Sequence, residues 1–118
     1  MFSLKYFAKG NTPFVKMAAN EICPTGTEIT SESRCQEAYG LASSLGLKPR
    51  RLLQVGNWQG VPYQCSALVG LVGSSWFQDD SLHFSTNSQT NNARFTTGEF
   101  VMICEAGTKL IVFCLIQL

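Results

Sequence analysis

The sequence predicts an α+β fold: a small disulfide-stabilised domain in which one helix, over about residues 31–45, packs on a short-stranded antiparallel sheet. Three observations predict it. One stretch carries apolar residues at helical spacing, short β-like runs punctuated by turn formers follow it, and five cysteines occur in 118 residues. A chain of this length forms one domain and buries roughly two-thirds of the surface its unfolded form exposes, so covalent restraints weigh heavily in its stability.

The helix rests on Cys35, Ala38, Ala42 and Leu45, whose spacing places them on one helical face. Thr30 or Ser31 can cap its first turn, Glu32 sits near its positive end, and Gly46 followed by Pro49 stops it. Cys35 then faces the core.

Strands are expected at residues 52–55, 67–72, 82–84, 100–104 and 110–115, each short and β-prone between turn formers. Residues 85–92 are polar, uncharged and rich in turn formers, and read as an exposed loop. The organisation follows: an N-terminal arm at 1–20, irregular or a short hairpin, a cysteine-framed domain at 21–105, and an apolar C-terminal strand or docking tail at 106–118.

Charge excludes some partners. Nine Lys+Arg against eight Asp+Glu, with 14% charged residues, leave no electrostatic footprint for nucleic acid. The cluster Lys48, Arg50 and Arg51 is a modest surface patch without an aromatic platform around it. Residues 1–16 lack the uninterrupted apolar run of a secretory signal, being broken by Lys5, Lys9, Gly10 and Pro13. The apolar run 110–116 is too short to span a bilayer, which takes about 20 residues. It is either a last strand or a tail that touches a partner or a membrane surface peripherally.

Cys23, Cys35, Cys65 and Cys104 are spread through the body of the domain, and Cys114 lies in the tail. No C-x-x-C or paired histidine occurs, so no metal or cofactor is expected. Four cysteines allow three pairings. The preferred one joins Cys35, on the inner face of the helix, to Cys65 after the 61–63 turn, and Cys23 to Cys104 at the two ends of the domain. Cys114 is then free or joined to another chain. Buried reduced thiols are the competing reading.

The ordered residues Cys23-Pro24-Thr25-Gly26, Cys35-Gln36-Glu37-Ala38, Gly56-Asn57-Trp58, Pro62-Tyr63-Gln64-Cys65 and Ile103-Cys104 resemble an uncharacterised cysteine-rich domain family abundant in dinoflagellates, haptophytes and related marine algae. That family carries a small residue where Gln64 stands here. The resemblance covers about residues 20–105 and implies a disulfide-bonded module outside the cytoplasm, secreted or in an organelle lumen such as the thylakoid lumen. It implies no activity. The last strand, residues 100–105, is also similar to that of C-type lectin domains, although the calcium motifs of those domains are missing.

Catalysis needs a base within reach of a nucleophile or substrate, and His83 is the only imidazole, in the apolar-flanked stretch Leu82-His83-Phe84. A hydrogen-bonded structural histidine is expected there, and no enzyme. The sequence points instead to a non-catalytic interaction module, an accessory subunit docked on a larger assembly, membrane-bound or photosynthetic. Its partner-binding residues are expected to be Leu71, Val72, Trp76 and Phe77 of an apparent insertion, with Val112, Phe113, Leu115 and Ile116 of the tail. The alternative is a secreted carbohydrate-binding module built on Asn57, Trp58, Asn87, Asn91 and Asn92.

Overall fold

The computed structural model describes residues 13–19, 21–70, 79–90 and 100–107. It shows a small α+β domain with strands β1 (Phe14–Lys16), β2 (Gln54–Gly56), β3 (Gln64–Leu68), β4 (Ser81–Ser85) and β5 (Phe100–Glu105). One helix, α1 (Glu32–Gly40), lies between β1 and β2. The five-stranded sheet runs in the order β1-β5-β3-β4-β2.

Ser31 caps α1: its side-chain oxygen accepts from the Arg34 amide at 3.2 Å, and Glu32 occupies the first turn. The α-helix ends at Gly40 rather than continuing to 45, and residues Ala42–Leu45 form a separate 3-10 turn. Gly40 and the Ser43-Ser44 pair are weak helix formers, so the chain tightens before stopping at Gly46, whose φ of 77° is left-handed. The apolar spacing survives the change: Cys35, Ala38 and Ala42 are buried, and Leu45 packs against them.

The sheet is antiparallel except at one edge, where β2 pairs parallel to β4, with Gln54 opposite His83. The rest is the short-stranded antiparallel sheet expected, and the parallel edge is a detail the sequence did not mark. The chain reaches β4 from β2 by way of β3, and this routing fixes the pairing direction, not the side chains of residues 54–56. Phe14–Lys16, placed in the N-terminal arm by its sequence, is an edge strand of the sheet, with Val15 opposite Cys104. β3 starts earlier than expected, at Gln64, and β4 extends to Ser81 and Ser85. The expected strand at 110–115 and the end of that at 67–72 lie outside the described residues.

Alternation along the strands gives the sheet two unlike faces. The face under α1 is apolar, with Cys65 and Ala67 of β3, Leu82 and Phe84 of β4 and Val101 and Ile103 of β5 packed on Cys35, Ala38 and Leu47. The opposite face carries Gln64, Ser66, Ser81, His83 and Ser85, all buried, beside Phe100, Met102 and Cys104.

Each face has one disulfide. Cys35–Cys65 ties α1 to β3, with Cα atoms 5.7 Å apart, and Cys23–Cys104 ties the segment before α1 to β5, at 5.6 Å. The sequence separations are 81 for Cys23–Cys104 and 30 for Cys35–Cys65. By chain entropy the two bridges stabilise the fold by about 4.5 and about 3.6 kcal/mol respectively. Either value is comparable to the whole stability of a small domain. No helix among the described residues is long and apolar enough to cross a membrane.

Candidate binding site

Where β1 and β5 meet the segment before α1, the surface opens into a cavity of about 530 Å³, within the range of small-ligand and peptide sites. Val15 and Met17 form one wall, the 24–27 turn forms the other, and residues 105–107 lie between them.

The turn wall is stiff. The Thr27 amide donates to the Pro24 carbonyl at 2.9 Å and its hydroxyl to the same oxygen at 2.6 Å, while Gly26 takes a left-handed φ of 91° that side chains resist. Three links fasten this turn to β5: the Cys23–Cys104 bridge, the pairing of Glu28 with Cys104, and the Glu105 amide donating to the Thr27 carbonyl at 2.7 Å. The β1 wall is held at both ends, by the Met17 amide on the Met102 carbonyl at 2.9 Å and the Ala106 amide on the Pro13 carbonyl at 2.7 Å.

Among the described residues of the lining Glu105 is the only ionisable one, and its carboxylate is engaged. Arg34 grips both oxygens, through Nε and Nη2 at 2.7 Å each, and also pairs with Glu37. The hydrogen bond to Glu105 is the largest of the influences that hold the Arg34 guanidinium charged. The same guanidinium lies 4.4 Å over the Phe14 ring, so one cation joins α1, β1 and β5. The Glu105 carboxylate is thus occupied, and the described lining is otherwise backbone and apolar or hydroxyl side chains.

A second polar constellation lies on the sheet face opposite α1. Trp58 is half-buried, its ring laid over Gly56, and it meets the imidazole of His83 edge to face at 5.6 Å. Phe100 meets the same imidazole from another side, also at 5.6 Å. The Trp58 carbonyl accepts from the Ser85 and Thr90 hydroxyls, each at 3.4 Å. Burial pushes the His83 pKa below its ordinary value and the Arg51 charge adds to this, against smaller opposing effects of the Ser81 backbone and Asp79. His83 is buried. Its Nδ1, expected to be hydrogen-bonded, has no partner among the described residues, and neither does the hydroxyl of Ser66.

The four cysteines pair as preferred on sequence grounds. Asn57 is exposed beside Trp58, and Asn87 is half-exposed with its side-chain oxygen accepting from the Gln89 amide at 2.9 Å. The structure brings Trp58 to His83, a contact the sequence did not reveal. The remaining candidates, Leu71, Val72, Trp76, Phe77, Asn91, Asn92, Val112, Phe113, Leu115 and Ile116, lie outside the described residues. The cavity beside β1 was missed because turn backbone and scattered apolar side chains build it, and no spacing pattern marks either. The nearest sequence signal was the turn-forming run Cys23-Pro24-Thr25-Gly26.

Among the described residues no group of three or more His, Cys, Asp or Glu could hold a metal ion. In comparisons with known proteins, the chain matches no family model, no curated protein and no solved structure.

Proposed function

We propose that this domain is a non-catalytic interaction module, an accessory subunit that docks on a larger assembly in an oxidising, extracytoplasmic compartment. The observation that carries this reading is the cavity between β1 and the 24–27 turn, braced by Cys23–Cys104, with the one carboxylate of its described lining held by Arg34. A preformed, mostly apolar recess limits the ordering cost of binding and suits an apolar segment of a protein partner. Two disulfides support the compartment, because such bridges persist where thiols are not kept reduced. The algal resemblance extends the compartment to an organelle lumen such as the thylakoid lumen.

Size fractionation under native conditions tests it. The domain from its own source is expected to migrate within an assembly well above 13.0 kDa. Val15→Asp, at a position 40% exposed and so tolerant of charge, is expected to release it. Migration as a free 13.0 kDa chain in both forms contradicts the proposal.

One observation favours a second reading. Trp58 lies over Gly56, half-buried, with Asn57 exposed beside it, an arrangement suited to stacking on a sugar. Glycan-array binding that disappears in Trp58→Ala, with the far-ultraviolet spectrum unchanged, would establish it. Absence of glycan binding by the intact domain ends it.

A further inference from the structure

Ser66 and His83 are register partners on the central strands β3 and β4, and each holds a buried polar atom with no hydrogen-bond partner among the described residues. Such atoms are uncommon in native interiors, and a titratable one changes its demands with pH. His83 is 7% exposed, and its ring meets those of Trp58 and Phe100 at steep angles, each with centroids 5.6 Å apart. From β2 it stands opposite Gln54 and from β3 opposite Ser66, with the Phe100 ring of β5 at 5.6 Å and the Ser81 backbone of its own strand close by.

The charged groups acting on it among the described residues are Arg51 and Asp79. These two form an ion pair at 3.0 Å, and Arg51 also donates to the Ser81 hydroxyl at 3.1 Å. Asp79 is occupied besides by the Ser81 amide at 3.0 Å. No carboxylate among the described residues is hydrogen-bonded to the ring, so a proton added to His83 would be a buried charge without an anionic partner.

We propose that His83 is an acid-sensing latch, whose protonation frees Trp58 and loosens the polar face of the sheet while the helix face stays closed. The two faces are held by different means. Leu82 and Phe84 of the same strand, on the other face, pack under α1, which Cys35–Cys65 ties to β3. On the polar face, Trp58 rests on aromatic contacts with His83 and on hydroxyl bonds to its own carbonyl, and the described residues place no covalent tie on its loop. Expulsion of the imidazolium therefore displaces Trp58 first.

The direction follows from linkage. His83 has a lower pKa folded than unfolded, so its stabilising effect is complete above the unfolded value of about 6.5 and is lost as pH falls below it. Within that window the equilibrium for opening rises by up to about tenfold per pH unit, levelling off below the folded pKa.

As the single histidine of the chain, His83 has an unambiguous imidazole resonance. Its carbon-bound protons, the Trp58 indole N–H in a Trp76→Phe background, and the amides of Cys35, Ala38, Leu82 and Phe84 should be followed from pH 8 to 4.5 by NMR. The latch predicts an imidazole that titrates below its unfolded value of about 6.5. Below this, its protonation should coincide with Trp58 indole exchange rising up to tenfold per pH unit, while Cys35 and Ala38 stay protected. His83→Gln should remove this acid dependence, and Asp79→Asn should retain it. Titration of His83 at or above about 6.5, or protonation without change at Trp58, overturns the proposal whether or not His83→Gln folds.

Discussion

Ser66 and His83 face each other across β3 and β4, and neither the Ser66 hydroxyl nor the His83 Nδ1 has a hydrogen-bond partner among the described residues. A buried hydroxyl without a partner carries an uncompensated desolvation cost of about 1–3 kcal/mol. Ser66→Ala is therefore expected to leave the domain as stable as before or to raise its stability by about 1 kcal/mol. Urea unfolding of both forms at pH 7 checks this. A loss above about 1 kcal/mol would mean that Ser66 has a partner in solution.

Trp58 depends on Gly56. A Cβ built at Gly56 would stand 2.4 Å from Cζ2 of the indole, closer than atoms approach without displacement. Gly56→Ala is expected to push the ring off β2, costing about 1–3 kcal/mol and exposing the indole. Red-shifted Trp58 emission in a Trp76→Phe background, with lowered stability, is the expected readout. Unchanged emission would show that the ring is not seated there.

Gln64, which opens β3, has φ of 75°, in the left-handed region where a side chain costs about 1–2 kcal/mol. Glycine is relieved of that cost, and a β-branched residue suffers it more. Chemical unfolding should rank Gln64→Gly at or above the parent protein and Gln64→Val below both, with about 1–2 kcal/mol between the variants. Equal stability of the two would place position 64 outside the left-handed region.

Much of the fold was legible because it depends on local chemistry. Helical spacing placed Cys35 inward, one of the two candidate caps, Ser31, caps the helix, and the β-prone run 82–84 marked the middle of β4, although Ser85 read as the start of an exposed loop. With Cys35 inward, the nested pairing was the natural one. What escaped was set over long distance. The parallel pairing of β2 depends on chain routing, and β1 is only three residues beside a proline, held by β5 from the far end of the chain. The cavity consists mainly of backbone and a turn, and the Trp58–His83 contact joins residues that no periodicity relates.

Asp79 gives a second acid dependence, separable from that of His83. Burial raises its pKa, but the Ser81 amide and hydroxyl and the Arg51 guanidinium outweigh this, and the net value lies below the usual carboxylate range. A carboxyl with a depressed folded pKa contributes stability above its unfolded pKa of about 3.9, and that contribution disappears as pH falls through the folded value. Asp79→Asn is therefore expected to be less stable than the parent at pH 7, with the difference narrowing only below about pH 4. Thermal unfolding of both forms across this range checks it. A difference already gone by pH 5 contradicts the assignment.

Non-reducing peptide mapping of the protein from its own source, with free thiols blocked before digestion, tests the frame on which the cavity and the compartment both rest. The account predicts Cys23 joined to Cys104 and Cys35 joined to Cys65, with none of these four open to alkylation. Alkylation of any of them in the native protein, or recovery of either of the other two pairings, would contradict it.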